Sequence, residues 1–202
     1  MAEGNVNVTE GSGKRLHVWD RTISSTLVHA QFMLPDEYPY ACYSVVGDNV
    51  SVATSAAHVM QIMSGSSTYT RIRRIHIMQA ANATTAGLLT IECRRITSAG
   101  TGGTSVTPAK YDNGDSASSA TAQTIPTSKG TESTVIWQKR MQLRQSYATF
   151  NEQILWEQLP NTKPIIIPSG TSNGIALKVV TGQAGATVDV TVEFVETAWL
   201  GA

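Results

Sequence analysis

The sequence predicts an all-β protein, a β-sandwich or jelly roll with an extended N-terminal arm and one long Gly/Ser/Thr-rich loop. Three observations predict it. Segments in which apolar and polar residues alternate recur along the chain, the clearest being Val188, Val190, Val192 and Phe194 against Asp189, Thr191 and Glu193. A period of two marks a strand with one buried face. Turn clusters such as Gly47-Asp48-Asn49 and Ser169 to Gly174 separate these segments, and short strands punctuated in this way suit a sandwich. Charged residues make up 15% of the chain, against about a quarter in an average globular protein. Helical surfaces would carry more Glu and Lys.

The 202 residues give one domain room for a sizeable core. Residues 1–15 are polar with nothing to bury and read as an arm of the kind ordered against a neighbour; residues 16–202 read as a single sandwich domain. Leu16 to Trp19 and Thr22 to Leu34 suit short strands or an extended ribbon, anchored by Val28 and Phe32. Pro35 and Pro39 bracket an acidic turn, because each fixes φ and removes a backbone donor. Tyr38, Tyr40 and Tyr43 gather there, which suits packing against the domain or an interface. Ala41 to Val46 is a strand. Ala56 to Met63 fits no single phase, so a bulged strand is expected, with a helical turn as the alternative.

Thr70 to Ile96 reads as two strands folded on each other. Ile75 and Ile77 share one face of the first; Leu89, Ile91 and Cys93 share one face of the second. Placing Ile75 opposite Cys93 and Ile77 opposite Ile91 keeps a single face apolar, and a slip of one residue would turn that set outward. The same register sets His76 opposite Glu92, Arg74 opposite Arg94 and Arg73 opposite Arg95. Like charges directly opposed cost roughly a few tenths of a kcal/mol per pair, so these arginines want anionic neighbours. Local Asp or Glu, solvent, or a partner's carboxylate would each serve, since Arg binds carboxylate bidentately. Arg73, Arg74, Arg94 and Arg95, with Lys14 and Arg15 of the arm, are the candidate partner-binding residues.

Thr97 to Ser133 is a long Gly/Ser/Thr-rich excursion; Val106-Thr107-Pro108 and Thr124-Ile125-Pro126 are expected as extended anchors and Asn113-Gly114-Asp115 as the turn at its tip. Loops of this length are commonly functional or disordered. Thr134 to Leu143 alternates, with Val135, Trp137, Met141 and Leu143 inward. The spacing from Leu143 through Tyr147, Phe150 and Ile154 turns helical, which suits a short helix around Ser146 to Glu152, and Ile154 to Trp156 then gives a short strand. The prolines flanking Ile165 to Ile167 mark a sheet edge. Gly174 to Val180 and Thr187 to Glu196 complete the strands.

Several function classes find no support. Lys and Arg together equal Asp and Glu, 15 against 15, so no surplus draws the chain to nucleic acid or an anionic membrane. The apolar runs fall far short of the ~20 residues that span a bilayer, and Met1 to Lys14 lacks the basic start and apolar core of a signal peptide; a soluble protein made in the cytosol is expected. Cys42 and Cys93 form no Cys-x-x-Cys pair, and Cys93 falls on an apolar phase, so a buried free thiol is expected. The histidines show no metal-ligand spacing. The Gly-Thr-Gly-Gly-Thr run lacks the Gly-Lys-Ser/Thr ending of a phosphate loop, and nucleophile-elbow and zinc-protease motifs are missing. Carboxylate pairs such as Asp189 with Glu193, or Asp36 with Glu37, are explained by an exposed strand face and an acidic turn rather than by glycosidase chemistry. No enzyme and no cofactor is expected.

The stretches RIRRIHIMQAANATTAGLLTIECRRITSAGTGGTSVTP, TAQTIPTSKGTE and KPIIIPSGTSNGIALKVVTGQAGATVDVTVEFVE, with the opening GSGKRLHVWDRTI, resemble a group of tailed-bacteriophage virion proteins. The resemblance covers most of the chain and implies a jelly-roll head-decoration, or cement, protein. Such a protein sits on the outer surface of the phage head, commonly as a homotrimer, after assembly in the host cytoplasm. Its implied partners are the major capsid protein and further copies of itself, with no small-molecule substrate, nucleic acid or membrane. The arm and the long loop would make the contacts between subunits. Proteins of similar look serve at the neck, tail or fibre, which is the alternative. A carbohydrate-binding sandwich would instead need a groove lined by exposed aromatics among Trp19, Trp137, Trp156 and Trp199. The resemblance carries over no catalytic residue.

Overall fold

The computed structural model describes residues 18–23, 26–31, 40–53, 55–145, 152–159 and 162–198. The chain divides into two compact units, Met1–Pro39 and Tyr40–Ala202. In the first, β1 (Val18–Ile23) and β2 (Thr26–Gln31) pair antiparallel, from Val18 opposite Gln31 to Ile23 opposite Thr26. The expected arm, with Lys14 and Arg15, lies outside the described residues, as do Phe32 and Tyr38.

The second unit runs through β3 (Cys42–Ser51), β4 (His58–Met63), β5 (Tyr69–Ala81), β6 (Gly87–Ile96), β7 (Thr104–Val106), β8 (Ala109–Lys110) and β9 (Thr121–Thr124). It continues through β10 (Glu132–Leu143), β11 (Glu152–Glu157), β12 (Ile165–Ile167), β13 (Gly174–Thr181) and β14 (Thr187–Thr197). These strands make two six-stranded antiparallel sheets. One has the order β11-β5-β14-β3-β8, with β12 also on β5; the other has the order β10-β6-β13-β4-β9-β7. Their facing apolar residues share one core that draws on both sheets, including Val45, Ile75, Ile77 and Phe194 from the first and Ile62, Leu89, Ile91 and Leu177 from the second. The protein is a β-sandwich, with no helix among the described residues. Residues Ser146 to Asn151 of the expected helix lie outside the described residues, and Glu152 opens β11.

The hairpin expected at Thr70 to Ile96 does not form. β5 pairs with β14, β11 and β12, whereas β6 pairs with β10 and β13. The faces are as the alternation predicts: Ile75, Ile77, Leu89, Ile91 and Cys93 are all at most 1% exposed. Those faces meet across the sandwich instead of lying side by side. Burial of one apolar face is satisfied by either arrangement, and residues 82–86 provide enough chain to cross the ~10 Å between packed sheets. The crossing is held by neighbours, with Ala83 N donating to Arg144 O and Thr84 N to Ala184 O. The predicted register, and the arginine stack built on it, are therefore replaced by pairs such as Ile75 with Val192 and Cys93 with Leu177.

Bulges explain further departures, including the expected Gly47-Asp48-Asn49 turn, which lies inside β3 where its pairing with β14 shifts register. Arg74 pairs with Glu193 and Ile72 with Phe194, which leaves Arg73 as the extra residue and brings Ile72 into the core at 0% exposure. An inserted residue resets the two-residue alternation. Register shifts around Val135 likewise turn that side chain outward, at 39% exposed, although the phase read from sequence placed it inward. In β4 the bulge expected from sequence falls at Val59, between His58 and Met60, and all six residues of the strand are buried. The long excursion is ordered by β7, β8 and β9, with the Asp112 to Asp115 turn at its tip closed by Asp115 N to Asp112 O. Cys93 is a free thiol whose pKa burial pushes up to about 12.

Phe194 anchors the middle of the core and stacks on Tyr43 with ring centroids 5.5 Å apart. Phe194→Ala should cost about 3–5 kcal/mol, read from urea denaturation. The crossing itself predicts strong Hα or amide NOEs linking Ile75 to Val192 and Cys93 to Leu177. Backbone NOEs between Ile75 and Cys93 would restore the hairpin.

Candidate functional site

Alternation along β6 points Glu92 and Arg94 away from the core, and β13 places Lys178 opposite Glu92 on the same outer face. The bulge in β4 brings His58 to Lys178, and Glu132 opens β10 opposite Ile96. These side chains converge on the Glu132 carboxylate. Oε1 accepts from His58 Nε2 at 3.0 Å and lies 3.3 Å from Lys129 Nζ. Oε2 accepts from Lys178 Nζ at 2.8 Å and from Arg94 Nη1. Burial alone would raise the Glu132 pKa, but hydrogen bonds from Lys178, His58 and Lys129 outweigh it and hold the pKa down at about 2.

His58 is fully buried, and its protonation follows from its partners. Gln61 Oε1 accepts from Gly100 N at 2.8 Å and from Gln123 Nε2 at 3.0 Å. That orientation leaves Gln61 Nε2 as the donor to His58 Nδ1, so Nδ1 carries no proton and Nε2–H donates to Glu132. Burial pushes the His58 pKa below its ordinary value, against the pull of Glu132. The ring is neutral at pH 7 and bridges β4 to the strand that follows the long loop.

A second carboxylate pins the same loop. Glu196, near the end of β14, accepts from Ser118 Oγ and Ala120 N on one oxygen, each at 2.7 Å. Its other oxygen accepts from Ser119 N at 3.0 Å and Ser119 Oγ at 3.1 Å. The loop expected to reach for partners is thus tied to its own sandwich, with Tyr111 near its tip left 61% exposed.

The four candidate arginines come apart. Arg74 lies on the outer face of the other sheet and grips Glu193 with both ends of its fork, Nη2 to Oε1 at 2.8 Å and Nε to Oε2 at 3.2 Å. Arg94 belongs to the Glu132 cluster, with Glu92 3.7 Å from its Nε. Arg95 donates from Nη1 to the carbonyl of Ile166 across the sandwich. Arg73, the bulge residue, is exposed and has no acid partner among the described residues. Local carboxylates thus pair with Arg74 and with the Nη1 of Arg94, while Arg73 and Arg95 have no acidic partner among the described residues.

In sequence, neither His58 nor Glu132 stands out as a site residue. The signal for them was weak: His58 and Gln61 are the polar members of an otherwise apolar run, and Lys129 precedes Glu132 by three. Trp137 and Trp156 pack against the core instead of lining an open aromatic groove. Neither a protein-family model, nor a curated protein, nor a solved structure matches this chain.

Lowering the Glu132 pKa from 4.5 to about 2 corresponds to on the order of 3 kcal/mol of stability above pH 4.5. Glu132→Gln should lose about 2–4 kcal/mol at pH 7, since it removes the counterion of Lys178 and leaves Arg94 with only the more distant Glu92. The depressed carboxylate pKa makes this advantage present above pH 4.5 and lost as pH falls toward 2, so the wild-type and mutant denaturation midpoints should converge over that window. His58 follows the same sign: its folded pKa lies below 6.5, the unfolded chain binds the proton first, and stability should decline as pH drops below 6.5. Imidazole 15N spectra should show the Nε2–H tautomer at pH 7. An imidazolium at that pH would contradict the network.

Proposed function

We propose that this chain is a structural protein of a tailed-phage virion, a decoration or cement protein that binds the outside of the assembled head and stabilises it. The observation that carries the reading is the division of the chain. Tyr40–Ala202 is a sandwich with its own core, and Met1–Pro39 is a separate unit whose described strands pair with each other. Packing on a partner's surface would stabilise a two-stranded hairpin, which is marginal by itself in water. The partners on this reading are the major capsid protein and further copies of this chain, most simply as a trimer.

The pairing chemistry supports a binding role over catalysis. Glu132, Glu193 and Glu196 are engaged by Lys, Arg, Ser and backbone donors within the sandwich, and a carboxylate held at a pKa of about 2 cannot serve as a proton donor near neutrality. Multiple copies bridging neighbouring capsid subunits would gain affinity through avidity, without any single strong contact.

Deleting residues 1–15 should leave the sandwich folded by circular dichroism and lower the affinity for expanded capsids by at least about tenfold, measured by co-sedimentation. Undiminished binding would remove the arm from the proposal. Failure of the full chain to bind any head would favour the neck, tail or fibre alternative.

A further inference from the structure

On β6, Arg95 takes the next inward position after Leu89, Ile91 and Cys93, at the end of the sandwich where the core runs out. A charged side chain in that position has to reach between the sheets, and it does. Its Nη1 donates to Ile166 O on β12 of the opposite sheet, and the residue is partly buried. It lies in a cleft of about 230 Å³ lined also by Thr97, Ile166, Pro168, Asn173 and Gly174. No lining residue is acidic, and no carboxylate among the described residues pairs with Arg95, in contrast to Arg74 and Arg94. Among the described residues, the buried side-chain nitrogens without a partner are Arg94 Nε and Trp137 Nε1. The unused N–H groups of Arg95 are therefore open to the cleft.

The cation is held where its charge is disfavoured: burial lowers the Arg95 pKa from its ordinary value. An arginine so placed, with donors to spare, gains from a bidentate acceptor. The cleft offers a single positive charge beside Ile166 and Pro168, which suits a singly charged group on a short aliphatic stem. A doubly charged phosphate would find one cation and no second. At ~30 Å³ for a water molecule, the volume suits a side chain rather than a cofactor.

We propose that this cleft is a carboxylate socket that receives an Asp or Glu side chain of a bound protein, with Arg95 as the fork and Ile166 and Pro168 against the stem. The proposal does not depend on the decoration reading: any protein partner with an acidic residue at its contact surface could fill it.

The test follows the Arg95 Nε–Hε resonance in 15N-labelled full-length protein. Blocked glutamate (N-acetyl-glutamate amide), acetate and inorganic phosphate are titrated against chloride at matched ionic strength. A saturable shift is expected with blocked glutamate, weaker with acetate, and no larger with phosphate than with chloride. Arg95→Lys keeps the charge but loses the fork and should weaken blocked-glutamate binding by roughly tenfold. Should that variant not fold, the ranking of the three probes on the wild-type protein decides. A shift no greater than chloride gives would overturn the proposal. Equal affinity for acetate would overturn the side-chain assignment in favour of a free carboxylate, and tightest binding of phosphate would overturn the carboxylate assignment.

Discussion

Two apolar sheet faces that can be buried only against each other are the constraint on which this fold depends. The central strands β13 and β14 carry those faces most fully, and β5 and β6 flank them from opposite sheets. Passing from β5 to β6, the chain leaves one sheet for the other, so each supplies half of the same core. The outer strands then limit exposed edges in the usual ways: β7, β8 and β12 are two or three residues long, and the longer β10 and β11 are broken by register shifts. Short or bulged edges resist pairing with other chains.

On that frame, two carboxylates organise the long loop. Glu132 gathers His58, Arg94, Lys129 and Lys178 where the loop rejoins the sheet, and Glu196 takes the backbone and hydroxyl donors of Ser118 to Ala120. A partly buried ion is tolerable when several donors satisfy it, and removal of one partner leaves an uncompensated charge. The cost of burying Glu132 is thus offset by interactions that also fix where the loop lies. The consequence for function is subtractive. Of the arginines on β5 and β6, Arg74 and Arg94 take the local-carboxylate alternative, and Arg73 and Arg95 have no acidic partner among the described residues.

Local alternation carried most of the fold. The inward set of β14 and the core residues of β5 and β6 were legible because period-two burial leaves a direct trace in sequence. Strand pairing left no such trace: Ile75 and Cys93 are equally apolar as sheet neighbours or as opposites across a sandwich, and the small residues of 82–86 suit a turn or a crossing. Bulges were legible at Val59, where the pattern visibly failed, and illegible at Arg73, where two adjacent arginines hid the reset. The polar cluster was obscured for a different reason. His58 and Glu132 are 74 positions apart, and only the three-dimensional path of the loop brings them together.

The proposed binding role rests on the amino-terminal unit, the exposed Tyr111 near the loop tip, and a charged cleft at one end of the sandwich. A cryo-EM map of the virion tests the role most directly. Sandwich density repeated over the outer surface of the head lattice is the predicted result. Density confined to the neck or tail, or missing from the particle, would contradict it.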